Sequence, residues 1–192
     1  MRVIAGKARR IQLKTVPGLE TRPTTDRIKE TLFNMLAADI YGSRFLDLFS
    51  GSGAIGIEAL SRGAECAYFV ENNRKAVQCI EDNLKAAHLE TDARVVCSEV
   101  MGALNHISAA EPSPFHIIFM DPPYNKGFEF QVLEFLKNSR LVDEDTMIIV
   151  ETDLSWPAGR AKAMGYKVSK EKKYKTNKHV FLYISTDGVN NE

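Results

Sequence analysis

The amino-acid sequence predicts an α/β fold built on a doubly wound, mostly parallel sheet. Short apolar runs alternate with stretches of helical period between residues 44 and 152, at the spacing that βαβ units need. Two further strand-like runs near the end of the chain flank a short polar turn. With 192 residues and 44% hydrophobic composition, the chain is long enough for one well-buried domain with a small extension.

An arm and one helix precede the alternating region. Residues 3–15 (VIAGKARRIQLKT) carry two β-like stretches around Gly6–Lys7, which predict a small β-hairpin. After the polar stretch ETRPTTDR, Thr25 or Asp26 can cap a helix that ends near Tyr41–Gly42. The apolar side chains of this helix fall on one face, at Ile28, Leu32, Met35 and Leu36.

The alternating region and the closing hairpin complete a predicted sheet of seven strands. The strands of the alternating region are RFLDLF, CAYFVE, ARVVCS, FHIIFMD and TMIIVET, and the helices between them are AIGIEALSRG, RKAVQCIEDNLKAAHL, EVMGALNHIS and FEFQVLEFLKN. The runs YKVSKEKKY and KHVFLYI then predict an antiparallel hairpin that turns at Thr176–Asn177–Lys178. The predicted organisation is an arm at residues 1–24, an α/β domain at 25–186 and a disordered tail at 187–192.

The cysteine, histidine and hydropathy patterns argue against several classes of protein. Three cysteines at wide spacing argue against a disulfide framework, and four scattered histidines give no metal-ligand spacing, so we predict no metal site. No signal-like leader is seen at Met1, and no apolar run approaches the roughly 18 residues that a membrane span requires. We therefore expect a cytoplasmic protein with no membrane association.

The net charge of zero conceals a segregation of charge along the chain. Residues 1–30 hold eight basic and three acidic residues, and residues 160–179 hold eight basic residues and one acid. Each basic run alone could be a solvated face. Two basic ends around an acidic middle also fit the footprint of a polyanion such as a nucleic acid, if the fold brings the ends together.

The first strand of the alternating region runs into a glycine-rich loop, DLFSGSGAIGIEA. Gly51, Gly53 and Gly56 permit a tight turn and a close approach of a ligand to the backbone at a helix N-terminus. Glu71 ends the second strand, 20 positions after Gly51, where a carboxylate can accept both hydroxyls of a ribose. These features fit a nicotinamide dinucleotide and an adenosyl cofactor equally well, and such a loop can also serve only to join a strand to a helix.

Asp47 favours the adenosyl cofactor over the dinucleotide. It lies four residues before Gly51, at the end of the first strand, where a carboxylate could attract the ammonium of an amino-acid moiety. A carboxylate beside an anionic pyrophosphate would be repelled. The alternative for Asp47 is a structural residue that accepts hydrogen bonds from amides of the turn.

The stretch Asp121-Pro122-Pro123-Tyr124 supplies the strongest chemical signal. It ends an apolar strand, and ligands of open α/β sheets bind beyond the carboxyl ends of strands, so it is expected to face the glycine-rich loop. The carboxylate of Asp121 and the carbonyl of Pro122 are two acceptors held by stiff backbone, suited to both hydrogens of a nucleobase amino group. Tyr124 can stack on that base.

These motifs resemble those of class I S-adenosylmethionine-dependent amino-methyltransferases. With the N-terminal stretch IAGKARRIQLKTVPGLETRPTTDRIKETLFNML, the chain is similar over roughly residues 2–184 to the bacterial 16S rRNA (guanine-N2)-methyltransferase family of the RsmD type. The resemblance implies a Rossmann-like methyltransferase domain, S-adenosylmethionine as cofactor and a guanine N2 of small-subunit ribosomal RNA as acceptor. It also implies a substrate within an assembled or partly assembled small subunit, and we expect a monomer.

The resemblance also implies site residues at the positions where motifs match. The catalytic positions are Asp121, Pro122, Pro123 and Tyr124. The cofactor positions are Asp47, Ser50, Gly51, Ser52, Gly53, Glu71, Asn72, Glu99, Val100 and Asp121. From the basic segments, the candidates for RNA contact are Arg9, Arg10, Arg22, Thr24, Lys173 and Lys175.

Three alternative functions fit parts of the sequence. DPPY is shared among adenine and guanine N-methyltransferases, so adenine N6 of nucleic acid or another amide-like nitrogen is the nearest enzymatic alternative. An NAD-dependent oxidoreductase would use the loop and Glu71 but has no use for DPPY. A non-catalytic RNA-binding assembly factor would bind RNA without methyl transfer.

Overall fold

The computed structural model describes residues 1–16, 26–124 and 126–185. Its backbone contacts divide the chain into two compact units, Met1–Ala103 and Leu104–Glu192. The domain boundaries predicted at residues 24/25 and 186/187, and the predicted tail, fall outside the described residues. Among those that are described, no helix has the length and apolar character to cross a membrane.

The first unit contains three strands and the helices that follow them. In chain order the elements are α1 (Asp26–Met35), β1 (Arg44–Leu48), α2 (Ala54–Ser61), β2 (Cys66–Glu71), α3 (Arg74–Ala87), a 3-10 turn (Glu90–Asp92), β3 (Ala93–Cys97) and the start of α4 (Val100–Ala110). Strand β1 pairs with β2, and β2 with β3, both in parallel. This is the βαβ pattern that the alternating periods predict.

The second unit continues from α4 with four strands and two helices. These are β4 (Ile117–Met120), α5 (Phe128–Lys137), β5 (Met147–Asp153), α6 (Ala158–Ala163), β6 (Tyr166–Lys173) and β7 (Asn177–Ile184). Strands β4 and β5 are parallel, whereas β7 is antiparallel to both β5 and β6. The strand order is β3-β2-β1 in the first unit and β4-β5-β7-β6 in the second. This confirms the predicted seven-stranded, mostly parallel sheet with an antiparallel C-terminal hairpin.

Strand β4 and the first half of β5 are apolar because both of their faces are covered. All four residues of β4 are buried, and Ile148, Ile149 and Val150 of β5 have no exposed surface. Such strands have continuous apolar runs instead of alternating patterns. The end of β4 is therefore fixed by the core, and the chain that leaves it begins from a rigid position.

The first helix is shorter than the sequence predicts and buries a charged residue. It ends at Met35 and not near Tyr41, because the chain tightens into turns in which the amide of Asp39 donates to Leu36 O. Leu32 and Leu36 are buried as expected. Lys29 is also fully buried, which an apolar pattern cannot predict.

The N-terminal arm is a minimal antiparallel hairpin. Arg2 and Gln12 form a single β-bridge, and the amides of Val3 and Leu13 donate to Ile11 O and Met1 O. The arm is attached to α2, whose Ser61 hydroxyl donates to Ala5 O and accepts from the amide of Ala8. The arm is thus part of the first unit and not a free extension.

The closing turn lies earlier than predicted. Asn177 and Lys178 belong to β7, where they pair with Asp153 and Thr152 of β5, so their assignment to the turn was wrong. Both side chains are buried: the amide of Asn177 donates to Glu151, and the ammonium of Lys178 donates to Trp156 O and Glu171. These contacts draw two polar residues into the sheet.

Two buried threonines, one within β5 and one just before it, make a testable contrast. The hydroxyl of Thr152 has no hydrogen-bond partner among the described residues, whereas Thr146 Oγ1 donates to Phe115 O at 2.8 Å and lies 2.9 Å from Asp143 Oδ1. Thr152→Val removes an unsatisfied buried hydroxyl, so we expect it to raise the free energy of unfolding by about 1 kcal/mol. Thr146→Val should lower it by a similar or larger amount. Urea unfolding of both variants checks this, and a loss of stability in Thr152→Val would contradict it.

Candidate functional site

The glycine-rich loop joins β1 to α2 through three residues of positive φ. Phe49 has φ 64°, Gly51 has φ 55° and Gly53 has φ 77°. A bulky residue rarely adopts this conformation, so Phe49 marks a strained backbone of the kind that is found at functional sites. The Ser50 hydroxyl donates to Asp47 O at 2.7 Å, and the Gly53 amide donates to Ser50 O at 2.7 Å, which closes the loop on itself.

The glycines of this loop serve different purposes. A Cβ on Gly51 would meet no atom within 4 Å, so the backbone there faces open space that a ligand can approach. A Cβ on Gly56 would lie 2.4 Å from the ring of Phe69. Gly56 is therefore required for close packing of α2 on β2, which is the role of the third glycine in such a loop.

Asp47 is buried beneath the loop and bonded to it. Its side chain is 1% exposed, and its Oδ2 accepts a hydrogen bond from the Gly56 amide at 3.0 Å. Burial raises the pKa of Asp47 to about 7, the Gly56 amide opposes that rise, and the charge of Glu71 adds to it. The geometry is that of the structural alternative considered for this residue, and the raised pKa leaves the carboxyl group poised to respond to a nearby cation.

Glu71 lies at the carboxyl end of β2 and is fixed by backbone amides. Its Oε2 accepts from the Gly51 amide at 2.9 Å, and its Oε1 accepts from the Asn73 amide at 2.8 Å. One carboxylate thus spans the glycine-rich loop and the start of α3, where Asn73 is the N-cap. The residue that sequence spacing assigns to the ribose is held in one orientation next to Gly51.

The side chains of Asn72 and Glu99 form a second contact at the same ends of neighbouring strands. Asn72 Nδ2 donates to Glu99 Oε1 at 2.8 Å, and both residues are exposed. They follow β2 and β3, whose carboxyl ends lie at one edge because the strands are parallel. Val100 begins α4 and is buried, so only its backbone could contact a ligand.

Asn83 is a supporting residue that sequence reasoning missed. It is buried on α3, and its Nδ2 donates to Ser52 O at 3.0 Å and to Lys14 O at 3.1 Å. Its Oδ1 accepts from the Lys14 amide at 2.8 Å. One amide side chain therefore holds both the glycine-rich loop and the N-terminal arm, and a sequence separation of 69 residues hides this pairing from any local pattern.

Asp121, Pro122, Pro123 and Tyr124 leave the buried strand β4 within the second unit. Pro122 is buried and Asp121 is partly exposed, while Pro123 is exposed and Tyr124 is 41% exposed. Gly127, with φ 71°, then turns the chain into α5. The stretch presents an acid and an aromatic ring at the end of a rigid strand, as the sequence predicts.

A network of three polar side chains, Glu151, His179 and Tyr174, lies beside this strand and was not predicted. His179 Nε2 lies 3.0 Å from Glu151 Oε2, and His179 Nδ1 lies 3.1 Å from the hydroxyl of Tyr174. Burial, and then the charge of Glu151, raises the pKa of Tyr174 to about 12. His179 also contacts the ring of Phe119 edge-on, with centroids 6.0 Å apart. This network thus packs against Phe119 of β4, two residues before Asp121.

The basic residues divide into paired and exposed groups. Lys29 is buried against Glu58, and Lys178 is buried against Glu171, so neither is available to a polyanion. Arg9 and Arg10 in the first unit, and Lys173 and Lys175 in the second, are exposed. The remaining candidates, Arg22 and Thr24, lie outside the described residues. Within the described ranges, no group of three or more His, Cys, Asp or Glu side chains is placed to hold a metal ion.

Comparisons with known proteins identify relatives along nearly the whole chain. A family model described as "Conserved hypothetical protein 95" matches residues 1–184. The "Putative rRNA methyltransferase YlbH" of Bacillus subtilis is 43% identical over 153 residues, which cover 80% of this chain and 83% of that protein. The "Ribosomal RNA small subunit methyltransferase D" of Escherichia coli K12 is 37% identical over 176 residues, which cover 86% of this chain and 85% of that protein.

Solved structures agree with these relatives. A "Putative methyltransferase yhhF from Escherichia coli" has a TM-score of 0.78 at 36% identity, covering 96% of this chain and 98% of that one. A more distant structure, titled as a putative methyltransferase complexed with SAH, has a TM-score of 0.66 at 16% identity, covers 81% of this chain and 49% of that one, and shares the fold. The family match and the identities together confirm the resemblance that the motifs indicate: the chain belongs to the family described as Conserved hypothetical protein 95, the RsmD family.

Proposed function

We propose that this protein transfers a methyl group from S-adenosylmethionine to the exocyclic N2 of a guanine in 16S ribosomal RNA. The observation that carries the proposal is Asp121-Pro122-Pro123-Tyr124 at the end of a fully buried strand. The relatives named as ribosomal RNA small subunit methyltransferases support RNA as the acceptor. We further propose that the substrate is a small subunit, assembled or in part assembled, and that the protein acts as a monomer.

The first unit offers hydrogen-bonding groups that an adenosyl cofactor needs. Gly51 leaves open space at the loop, and Glu71 beside it presents a fixed carboxylate for ribose hydroxyls. Asn72 and Glu99 would contact the adenine side, and Asp47 with Ser50–Gly53 would support the amino-acid moiety. When bound, S-adenosylmethionine supplies an electrophilic methyl group, so the protein contributes mainly by positioning.

The second unit offers the groups that a nucleobase amine needs. Asp121 and the carbonyl of Pro122 would accept the two amine hydrogens and thereby aim the nitrogen lone pair, which is otherwise delocalised into the ring. Tyr124, which is partly exposed, would stack on the base. After methylation the nitrogen is acidic, and its proton passes to Asp121 or to water. Because the edge of a paired base is inaccessible, the target would be a loop nucleotide or a flipped one.

The exposed basic residues would hold the RNA backbone. Arg9, Arg10, Lys173 and Lys175 are exposed and could neutralise phosphates, with Arg22 and Thr24 as further candidates. Several other basic residues of the arm are paired with acids of the same unit, namely Lys7 with Asp92 and Lys14 with Asp82. The number of phosphate contacts is therefore smaller than the count of basic residues in the sequence.

The test is to incubate the protein with radiolabelled S-adenosylmethionine and small ribosomal subunits from cells that lack it. The RNA is then digested, and the labelled nucleoside is identified. We expect N2-methylguanosine at one site. Label on N6-methyladenosine would show that the acceptor is adenine N6 and that the reaction is still N-methylation. RNA binding without methyl transfer would favour an assembly factor. Binding of NADH instead of S-adenosylmethionine would overturn the proposal.

The raised pKa of Asp47 predicts a pH-dependent affinity for S-adenosylmethionine. A nearby ammonium favours the ionised carboxylate, so binding should release a proton and become tighter as pH rises through about 7. Because the folded-state pKa is raised, the stability that this group contributes is present below its ordinary pKa of 3.8 and is lost as pH rises towards about 7. Calorimetric titration with S-adenosylmethionine across this pH range, for the wild type and for Asp47→Asn, measures how much of the pH dependence of the affinity comes from Asp47. Identical pH profiles for the two proteins would contradict it.

A further inference from the structure

We propose that Arg160 is an RNA-contacting residue whose guanidinium plane stacks on an unpaired nucleotide beside the methylation target. The inference rests on the proposed function for the nature of the partner. It comes from a stack of three side chains in the second unit, Trp156, Phe130 and Arg160. The stack has a fixed base and an exposed cationic top.

The geometry of the stack is well defined. The rings of Phe130 and Trp156 are nearly parallel, with an interplanar angle of 6° and centroids 5.2 Å apart. Arg160 Cζ lies over the Phe130 ring, 4.1 Å from its centroid. Such contacts orient a guanidinium flat against an aromatic face and leave its opposite face available.

The base of the stack is anchored in the fold. Trp156 is 6% exposed, its carbonyl accepts from Lys178 Nζ at 3.1 Å, and its amide donates to Asp153 O. Phe130 lies in the first turn of α5 and is half-buried. Arg160 on α6 is exposed. Its guanidinium makes no ion pair with any described residue, so no described acid neutralises its charge.

The stack lies at the edge of the second unit where DPPY also lies. Strands β4 and β5 are parallel, so their carboxyl ends meet at one edge. Asp121 follows β4 directly, and Phe130 is the third residue of α5, the helix after it. Trp156 is the third residue after β5. In open α/β sheets this edge is where ligands bind. A nucleotide next to the target base would therefore pass close to Arg160.

The chemistry of the exposed group favours single-stranded RNA as the partner. A guanidinium is planar and weakly hydrated, and unstacked RNA bases are commonly held on aromatic rings or on arginine planes. Its N–H groups can also donate to a phosphate of the same nucleotide. Lys162 on the same helix and Lys173 at the end of β6 are exposed point charges, which can neutralise phosphates but cannot stack. Arg160 would thus supply the base contact that the lysines lack.

The test compares Arg160→Lys, which keeps the charge and removes the plane, with Arg160→Ala. Affinity for a labelled single-stranded RNA oligonucleotide is measured by fluorescence anisotropy over a series of salt concentrations. Both variants should weaken binding by about 5- to 100-fold, as is typical for loss of one stacked base. The salt dependence of Arg160→Lys should match that of the wild type, because no charge is lost. Lys162→Ala is the matched control and should weaken binding by less than either variant.

A third variant tests the stack itself. Phe130→Leu retains an apolar side chain on α5 but removes the ring beneath Arg160, and its RNA affinity should fall as in Arg160→Lys. S-adenosylmethionine affinity should be unchanged in all variants. Wild-type affinity in Arg160→Lys would show that charge alone acts, and wild-type affinity in Arg160→Ala would show no contact; either result overturns the proposal. Failure of methyl transfer in the wild type, with RNA binding still dependent on Arg160, would overturn only the proposed reaction.

Discussion

Asp121→Ala is expected to abolish methyl transfer while leaving the affinity for S-adenosylmethionine nearly unchanged. In the proposed reaction, Asp121 is the acceptor that aims the nitrogen lone pair. Its removal should therefore lower turnover on the order of 1000-fold. Asp121 is only one of the positions that the resemblance assigns to the cofactor. Cofactor affinity should largely persist because Glu71 and the glycine-rich loop are held by hydrogen bonds within the first unit. Single-turnover transfer and calorimetric binding measure the two quantities separately.

Two further variants sharpen this prediction. Asp121→Asn keeps one side-chain oxygen but places an amide donor against the amine, so it should be nearly as inactive as Asp121→Ala. Asp145→Ala is the matched control, because Asp145 is an exposed acid on the loop before β5. Equal losses of turnover and cofactor affinity in Asp121→Ala would remove its role as the amine acceptor. Full activity in that variant would show that the carboxylate of the DPPY stretch has no role in the reaction.

Glu58→Ala is expected to cause the largest loss of stability among single substitutions in the first unit. Glu58 is fully buried on α2, and its carboxylate accepts from Lys29 Nζ at 3.1 Å and from the amides of Ile4 and Ala5. Burial lowers the pKa of Lys29, and Glu58 opposes that shift. Removing Glu58 leaves the buried ammonium of Lys29 without its anion and takes the acceptor from Arg62 Nε, which lies 2.8 Å from Glu58 Oε1. Breaking a buried pair in this way costs about 3–5 kcal/mol. For a chain of this size, the melting temperature should fall by about 6–20 °C.

A double variant and a surface control make this test specific. Adding Lys29→Met to Glu58→Ala removes the fully buried cation and should recover part of the loss. Arg62 Nε and the amides of Ile4 and Ala5 still lack the acceptor that Glu58 provides. Asp82→Ala breaks an exposed ion pair with Lys14 that also joins the arm to the unit, and its effect should be small. The melting temperatures of Glu58→Ala, the double variant and Asp82→Ala, measured by calorimetry, test this prediction. Comparable losses in Glu58→Ala and Asp82→Ala would contradict the assigned role of burial.

The arm shows how this stability loss would reach function. Glu58 holds the backbone of residues 4 and 5, and Asn83 holds the backbone of Lys14 together with Ser52 of the glycine-rich loop. The segment that carries Arg9 and Arg10 is therefore fixed at both ends to elements that also support the proposed cofactor site. Variants that release the arm should weaken RNA binding as well as stability.

The order and type of the strands and helices could be predicted from sequence because their signals are local. Apolar runs such as Phe115–Met120 mark buried strands, and the periodic runs between them mark helices. The glycines of the loop and the two prolines after Asp121 are also local signals, since each restricts or frees its own backbone. Two boundaries were wrong. Helix α1 ends early because of a turn that no pattern marks. The last turn shifts because Asn177 and Lys178 have buried partners at Glu151 and Trp156, which are distant along the chain.

The fold class, the family, the glycine-rich loop with Glu71 and DPPY at the end of a strand all follow from the amino-acid sequence. Which charged and polar groups are buried, and what they contact, follows only from how the chain packs in three dimensions. This packing buries Lys29 against Glu58, raises the pKa of Asp47, links Asn83 to two segments and stacks Arg160 on Phe130. Burial and pairing depend on residues that are distant along the chain, so periodicity and turn chemistry, which act over a few residues, cannot specify them.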